Sequence, residues 1–341
     1  MLYIDEQIPL DMLSQYDEVR TFNGRTLQRE DLVRDHVDAL IVRSTTAVHR
    51  ALLHDTMVRF VASATAGTDH MDLPSLQEHG VFYTNAPGSN ANAVAEYCTA
   101  AMRAWSAALH GKTLGIIGMG HVGTALAEHA WGLGMNVIVS DPPKQNAGHE
   151  FPPYVTLASV DTIVNDCNIL SLHVPLTYVG AHATHHLLNA ELLAALPGSS
   201  LLINASRGDV VDEVAMREHV FRDRFAVVLD VWKNEPSIDM ELALQAMIAT
   251  PHIAGYSLHA KLEGARIAGR AWLRWKGIET ELFDRAMAMK DEASTYADEL
   301  RPVAEESDAF KQSISHGSVS QAFDAFRKNY ILRPEHLRTT R

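Results

Sequence analysis

A glycine-rich loop between an apolar segment and a helical pattern constrains the fold of this chain most. The apolar segment TLGII at 113–117 runs into GMGHVG, and a helical pattern covers 122–133. The loop holds three glycines: Gly118, Gly120 and Gly123. Such spacing permits a tight turn, a close backbone approach to phosphate and close packing of helix on strand. Because a helix N-terminus offers free N–H groups, we expect the amides of His121 and Val122 to face a phosphate group.

An acidic residue at the end of the next apolar segment adds to this pattern. The segment NVIVSD at 136–141 ends in Asp141, 18 residues after Gly123. A carboxylate there accepts hydrogen bonds from the ribose hydroxyls of NAD and repels the 2′-phosphate of NADP. The pattern therefore predicts a dinucleotide-binding domain that takes NAD. The alternative is a glycine-rich turn in a flavodoxin-like domain that binds no dinucleotide.

Short apolar segments separated by helical patterns run through both halves of the chain. They are LYI (2–4), ALIVRS (39–44), FVASAT (60–65), VFYTNA (81–86), TLGIIG (113–118), NVIVSD (136–141), ILSLHV (169–174), SLLINAS (200–206) and FAVVLDV (225–231). Runs of this kind are typical of strands that are buried on both faces in parallel sheets. We expect an α/β protein with two doubly wound, Rossmann-like lobes. The Pro-rich stretch 142–156 is predicted to be a loop.

Breaks in the pattern predict the domain organisation. Pro87 and Gly88 precede a long Ala-rich helical pattern, which marks the first boundary. The predicted domains are a substrate-binding lobe at 1–91, an NAD-binding domain at 92–256, a helix returning to the first lobe at 257–283, and a small C-terminal domain at 284–341.

Composition excludes several classes of partner. The formal net charge of −13 disfavours nucleic acid. No uncharged apolar run is long enough to cross a bilayer, and Asp5 interrupts any apolar N-terminal signal. The two cysteines, Cys98 and Cys167, form no CxxC pattern and fit a reducing compartment. We expect a cytoplasmic protein that has no membrane partner.

Three polar residues follow strand patterns at positions where open α/β sheets bind ligands. Arg207 follows SLLINAS, Glu235 lies in DVWKNEP, and His252 lies in TPHIAGY. Oxidation of a 2-hydroxy acid needs a cation for the carboxylate, a base for the hydroxyl proton, and a carboxylate that orients the base. Arg207, His252 and Glu235 can supply these groups in that order.

Each of the three residues also has a purely structural interpretation. Arg207 can be a surface residue in a turn before Gly208, Glu235 a loop acid before Pro236, and His252 a residue that ends a strand. Their joint occurrence behind a dinucleotide-binding pattern favours catalysis.

Five segments together resemble the D-isomer-specific 2-hydroxyacid dehydrogenase family. They are NAPGSNANAVAEY, GIIGMGHVG, LLINASRGDVVDE, LDVWKNEP and PHIAGY. The resemblance implies two doubly wound lobes with an active site in the cleft. It also implies roles for Arg207 at the substrate carboxylate, Glu235 as the partner of histidine, and His252 as the acid and base.

A further set of segments is similar to one branch of that family. They are YIDE (3–6), IVRSTT (41–46), ATAGTDHMD (64–72), HIAGYS (252–257) and FDAFRKNY (323–330). This similarity implies oxidation of 4-phosphoerythronate in pyridoxal 5′-phosphate biosynthesis, and a homodimer formed through a C-terminal α+β dimerisation domain at 284–341. Matching positions imply substrate contacts at Ser44, Thr65 and Tyr256. They imply cofactor contacts at Val174, Ser206, Asp230 and Gly255.

Other interpretations stay open at this point. The substrate can be another acid of the family, such as glycerate or 3-phosphoglycerate, or the chain can be an NAD-sensing binding protein that resembles the transcriptional corepressors of this fold. Arg43 can pair with a substrate phosphate or form an internal salt bridge. His182, His185 and His186 have no Cys or acid beside them in the sequence, so we expect no metal site.

Overall fold

The computed structural model describes residues 1–292 and 299–336. The chain forms two compact units. The first comprises Met1–Asn90 and Ser257–Tyr296, and the second comprises Ala91–Tyr256 and Ala297–Arg341. No helix in the described ranges combines the length and apolar character that crossing a membrane requires.

The first unit contains a five-stranded parallel sheet in the order β2-β1-β3-β4-β5. Its strands are β1 (Leu2–Asp5), β2 (Val19–Phe22), β3 (Ala39–Val42), β4 (Phe60–Ser63) and β5 (Phe82–Thr84). The short helices α1 (Arg29–Arg34), α2 (Arg50–Leu53) and α3 (Leu73–Glu78) connect them. Alternate residues of β1 enter different cores: Leu2 and Ile4 pack in one cluster and Tyr3 in the other. Both faces of the sheet are therefore covered, as the apolar strand patterns predict.

The second unit contains a seven-stranded parallel sheet in the order β12-β11-β10-β9-β6-β7-β8. Its strands are β6 (Thr113–Ile117), β7 (Asn136–Ser140), β8 (Val155–Leu157), β9 (Ile169–Leu172), β10 (Leu201–Asn204), β11 (Ala226–Leu229) and β12 (Ile248–Ala249). Its helices up to residue 256 are α4 (Ala91–Trp105), α5 (His121–Gly132), α6 (Pro142–Asn146), α7 (Val160–Asp166), α8 (Ala190–Ala195), α9 (Glu213–Val220) and α10 (Met240–Gln245). Leu170 and Leu172 of β9 pack in one core cluster and Ile169 in the other. The predicted class of two doubly wound parallel sheets is confirmed.

The chain then contributes two helices to each unit. In the first unit, α11 (Leu258–Trp275) and α12 (Glu281–Glu292) pack on the sheet, where Trp272 and Phe283 are fully buried. In the second, α13 (Val303–Ser315) and α14 (Val319–Lys328) bury Phe310 and Phe323 in the core cluster that also holds Leu170.

This arrangement corrects the prediction for residues 284–341. The described part of that segment holds helices and no strand, so it is not α+β. It is also divided between the two units instead of standing apart. The division has a physical reason: the apolar faces of α13 and α14 pack in a core cluster of the second unit.

The sequence patterns did not predict three short strands. β2 is an edge strand that carries the exposed Arg20, β8 is an exposed edge strand, and β12 has only two residues. The predicted loop at 142–156 is confirmed for residues 147–154 and was wrong at both ends. β8 begins at Val155, and α6 begins at Pro142, a position where proline is favoured, with Asp141 as its N-cap.

Candidate active site

The three glycines of the glycine loop (residues 118–123) have three different surroundings. Gly118 has φ +96°, and a Cβ there would lie 2.5 Å from the carbonyl oxygen of His173 and 2.8 Å from Val174 Cγ1. A Cβ on Gly123 would lie 2.0 Å from the carbonyl oxygen of Gly118. Around Gly120 nothing lies within 4 Å of such an atom. The first and third glycines therefore allow the loop to pack on the protein, and the second leaves room for a ligand.

The start of α5 provides donors beside that room. The first hydrogen bond at this end of the helix runs from Thr124 N to Gly120 O, at 3.0 Å. The preceding N–H groups, including those of His121 and Val122, therefore have no acceptor within the helix. Free amides next to an open glycine fit the pyrophosphate of a dinucleotide.

Asp141 lies directly after β7 and is half-buried. Its Oδ2 accepts the N–H of Met119 at 2.8 Å, and its Oδ1 accepts the N–H of Lys144 at 3.0 Å. Lys144 Nζ also donates to Met119 O at 2.5 Å. Each carboxylate oxygen keeps a second lone pair for a ribose hydroxyl. The hydrogen bond from the Met119 N–H to the Asp141 carboxylate thus fixes the glycine loop and Asp141 to one another.

A cavity of about 530 Å³ opens beside Asp141. Its lining consists of Ser140, Pro142, Gln145, Leu157, Ala158, Ser159, Val160 and Asp161. Neither Asp141 nor any residue of the glycine loop is among these lining residues. The open space around Gly120, the free amides at the start of α5 and the Asp141 carboxylate fit a bound dinucleotide.

The predicted proton-transfer pair lies at hydrogen-bonding distance. His252 Nδ1 and Glu235 Oε2 are 2.8 Å apart, and Glu235 Oε1 accepts the N–H of Trp232 at 3.0 Å. Burial raises the pKa of Glu235, but the charge and hydrogen bond of His252 outweigh it and the pKa is lowered overall. An ionised Glu235 therefore holds one ring nitrogen of His252 and leaves the other for chemistry.

Asp230 explains how His252 is held. The His252 backbone has φ +57°, and its N–H donates to Asp230 O at 2.7 Å. The buried Asp230 carboxylate accepts the N–H groups of Ile253 and Ala254 at 2.8 and 2.9 Å and the hydroxyl of Thr250 at 2.7 Å. Burial raises the pKa of Asp230 despite these donors and the charge of His252. The resemblance assigns Asp230 to the cofactor, and in the structure its carboxylate also fixes the turn at 250–254.

Arg207 stands beside the same group of loops. A Cβ on Gly208 would lie 2.1 Å from the carbonyl carbon of Trp232 and 2.5 Å from Lys233 N, so only glycine allows these segments to meet. Arg207 Nη1 donates to Ser206 O at 2.7 Å, and Ser206 itself is tied to Asn204. We call residues 206–210, 232–236 and 250–256 the catalytic loops.

Two arginines from the C-terminal segment also contact the catalytic loops, and the sequence patterns did not single them out. Arg301 is almost fully buried and donates to Ala254 O and Ile253 O, both at 2.9 Å. It pairs with Glu306 at 2.9 Å. Arg327 of α14 donates to the hydroxyl of Tyr256. FDAFRKNY contains Arg327, but nothing in the sequence connects Arg301 to residues 253–254.

The remaining predicted residues lie as follows. Gly255 belongs to the turn that Tyr256 N closes on Ile253 O at 2.9 Å. In the first unit, Ser44 lies just beyond the end of β3, and Thr65 lies just beyond the end of β4. The strands β3 and β4 are neighbours in the sheet. Thr65 Oγ1 lies 2.8 Å from Ser63 Oγ.

Arg43 forms the internal salt bridge that was one of its two interpretations. Its Nε lies 2.8 Å from Oδ1 of the buried Asp5.

The histidine tract does have an acid beside it in space. His186 N donates to Asp209 O at 2.8 Å, and candidate ligand atoms of His185, His186 and Asp209 lie within 4.8 Å of one another. The two imidazole rings stack at 4.0 Å with only 15° between their planes. Parallel rings do not direct their nitrogen lone pairs at one ion, so the observed arrangement does not form a ready metal site.

Comparisons with known proteins agree with this geometry. Residues 87–254 match the family model described as D-isomer specific 2-hydroxyacid dehydrogenase, NAD binding domain. An erythronate-4-phosphate dehydrogenase of Acinetobacter baumannii (strain AYE) is 39% identical, with 94% of this chain and 93% of the relative covered. One of Pseudomonas paraeruginosa is 38% identical, with 97% and 92% covered.

Solved structures share the fold. A protein from Thermus thermophilus has a TM-score of 0.69 at 25% identity, covering 82% of this chain and 98% of that one. The D-lactate dehydrogenase from Aquifex aeolicus, solved with NAD and lactic acid, has a TM-score of 0.66 at 22% identity, covering 81% and 95%.

Proposed function

The chain belongs to the D-isomer specific 2-hydroxyacid dehydrogenase family, and we propose that it performs the NAD-dependent oxidation of 4-phospho-D-erythronate to (R)-3-hydroxy-2-oxo-4-phosphooxybutanoate. This reaction would place it in pyridoxal 5′-phosphate biosynthesis. The observation that carries the proposal is the 2.8 Å contact between His252 and an ionised Glu235 in the unit that holds the glycine loop.

Each catalytic group has one task in the proposed reaction. Arg207 binds the substrate carboxylate, since a guanidinium can hold both oxygens at once. His252 accepts the C2 hydroxyl proton through Nε2 while Glu235 stabilises the imidazolium. When bound, NAD takes the hydride from C2. In one turnover the hydroxyl proton would go to His252 and the hydride to the bound cofactor, which balances the oxidation to the carbonyl.

The cofactor preference follows from the residues around the glycine loop. Gly118, Gly120 and Gly123 with the amides of His121 and Val122 would hold the pyrophosphate, and Asp141 the adenosine ribose. We also propose the remaining positions that the resemblance implies. They are Val174, Ser206, Asp230 and Gly255 for the cofactor and Ser44, Thr65 and Tyr256 for the substrate.

The substrate assignment rests on the relatives, which are named for erythronate 4-phosphate and align over nearly their whole length. The direct test is NADH formation with 4-phospho-D-erythronate, D-glycerate and 3-phospho-D-glycerate under identical conditions. We expect kcat/KM to be about 100-fold higher with 4-phospho-D-erythronate, because a site built for one polar substrate discriminates strongly. A higher value with either of the other acids would assign the enzyme to that acid. Repeating the assay with an added 2-oxo acid would reveal turnover that is limited by NADH release.

We further propose that the protein acts as a cytoplasmic homodimer. Cys98 and Cys167 are buried free thiols, as is usual in a reducing compartment. Leu282 and Met289, both on α12, expose apolar side chains that a second copy can cover. Light scattering after size-exclusion chromatography should give the mass of two chains, and the mass of one chain would contradict the dimer.

A further inference from the structure

Arg327 is a largely enclosed cation beside the catalytic loops. Its Nε and Nη2 both donate to the Tyr256 hydroxyl, at 3.3 and 3.0 Å. Its guanidinium carbon lies 5.8 Å from the ring centres of Tyr256 and Phe323, which cover part of its surface. The phenol oxygen accepts both bonds, so the phenol hydrogen can be donated elsewhere.

The charge of Arg327 is not balanced by a contacting acid. Over residues 1–292 and 299–336, no carboxylate oxygen lies within 4.0 Å of its guanidinium nitrogens. Arg301, by contrast, is paired with Glu306 at 2.9 Å. Burying a cation without a contacting anion costs free energy. We therefore expect the Arg327 guanidinium to bind an anion when the protein functions.

Two acids whose charges act on Arg327 are already engaged. Glu235 holds His252 and the N–H of Trp232, and Asp230 accepts three donors from the turn at 250–254. Burial alone would lower the pKa of Arg327, but its contact with Tyr256 and, after that, the charges of Glu235 and Asp230 raise the pKa above its ordinary value. A guanidinium stays protonated in a protein in any case, and neither of these two acids lies within salt-bridge distance of the Arg327 nitrogens.

We propose that Arg327 and the Tyr256 hydroxyl together bind the phosphate group of the substrate, an inference that rests on the proposed function. Arg207 is assigned to the carboxylate at the other end of the four-carbon acid, so the phosphate needs a cation of its own. Two of the five N–H donors of the Arg327 guanidinium are engaged with Tyr256, which leaves three for phosphate oxygens, and the phenol adds a fourth donor. The net charge of −13 and the two nearby acids would repel a phosphate monoester if this cation were absent.

The proposal predicts a selective loss of affinity. Arg327→Gln should lower kcat/KM for 4-phospho-D-erythronate by roughly 10- to 100-fold through KM, because a charge-assisted contact is lost. Oxidation of unphosphorylated D-erythronate should change less than about 3-fold, since that substrate has no group for Arg327 to bind. Arg327→Lys should restore part of the loss because it keeps the charge without the fork.

A matched control lies one residue further along α14. Lys328 is exposed, so Lys328→Gln removes the same formal charge without touching Tyr256. It should leave both substrates unaffected. If Arg327→Gln lowers kcat/KM equally for the phosphorylated and unphosphorylated acids, or for neither, the proposal is wrong.

A binding experiment separates failure of this inference from failure of the proposed function. Inorganic phosphate should raise the thermal unfolding temperature of the full chain and of Lys328→Gln above that in chloride of equal ionic strength. Arg327→Gln should lose this protection. Protection without oxidation of 4-phospho-D-erythronate would overturn the proposed substrate and keep the anion site. Equal protection of Arg327→Gln and the parent chain would overturn the anion site, whichever acid the enzyme oxidises.

Discussion

The glycine loop and the catalytic loops lie in the same unit and differ in how far along the chain their hydrogen bonds reach. The glycine loop is held by hydrogen bonds with Asp141 and Lys144, within one strand–loop–helix–strand segment, and Gly118 also packs on His173. The catalytic loops are held by residues far apart in sequence, including Tyr97, whose hydroxyl lies 2.6 Å from Thr250 Oγ1, and Arg301. A cofactor site can therefore be encoded locally, whereas the proton-transfer pair depends on the whole unit.

Substitutions in the glycine loop should separate packing from ligand binding. Gly123→Ala places a methyl group against the backbone of Gly118 and should destabilise folding by about 3 kcal/mol. Gly120→Ala meets open space and should leave stability unchanged while weakening NAD binding. Thermal unfolding and NAD titration of both variants check this. Equal destabilisation by the two substitutions would show that Gly120 is a packing residue as well.

Removal of the charge on Glu235 should lower the rate of chemistry. Glu235→Gln keeps the shape of the side chain but no longer stabilises the imidazolium of His252, so kcat should fall roughly 100-fold with little change in NAD affinity. Stopped-flow measurement of NADH formation tests this, and an unchanged kcat would remove Glu235 from the mechanism.

The same variant should alter the dependence of stability on pH. The pKa of Glu235 is lower in the folded protein than its ordinary value of 4.5. Its ionised form therefore stabilises the fold above that value, and this contribution disappears as pH falls through the lowered pKa. The difference in unfolding free energy between the parent chain and Glu235→Gln should narrow under acid. A difference that widens on acidification would contradict the assignment.

Arg301 tests whether distant residues position the catalytic loops. Lysine cannot reach both carbonyl oxygens at once, so Arg301→Lys should lower kcat by about 10-fold with a smaller effect on substrate KM. Arg217→Lys is the control, because Arg217 pairs with Asp239 and Glu241 at the surface of the same unit. A loss of stability in Arg301→Lys without a change in kcat would assign Arg301 to folding alone.

The smallest expected effect is that of replacing Asp141, and it concerns the choice between NAD and NADP. Asp141→Asn removes the charge that repels a 2′-phosphate, so the preference for NAD over NADP should fall about 10-fold. Asp161→Asn, on the wall of the cavity beside Asp141, is the matched control and should keep the parent preference. An unchanged preference in Asp141→Asn would place cofactor selection elsewhere.

The contrast between the two regions also explains what could be predicted from the sequence. Gly118, Gly123 and Asp141 stand within one strand–loop–helix–strand unit, so their spacing alone indicated a shared site. His252 and Glu235 were predicted as partners by chemical type, and they are found 2.8 Å apart.

Other features of the molecule depend on tertiary packing that leaves no local signal. Arg301 contacts Ile253 and Ala254 because the fold brings the segment before α13 to that turn. The fold likewise places Asp209 beside His186. The division of the C-terminal segment between the two units has the same cause, because the apolar face of a helix does not specify which core it will join.

The most direct test of the central claim is the turnover of His252→Ala with 4-phospho-D-erythronate, measured alongside its NAD affinity. The account predicts that kcat falls by roughly 1,000-fold while the dissociation constant for NAD stays within about 3-fold of the parent value. Near-normal turnover, with NAD bound as before, would show that another group accepts the proton and would contradict the assignment of His252.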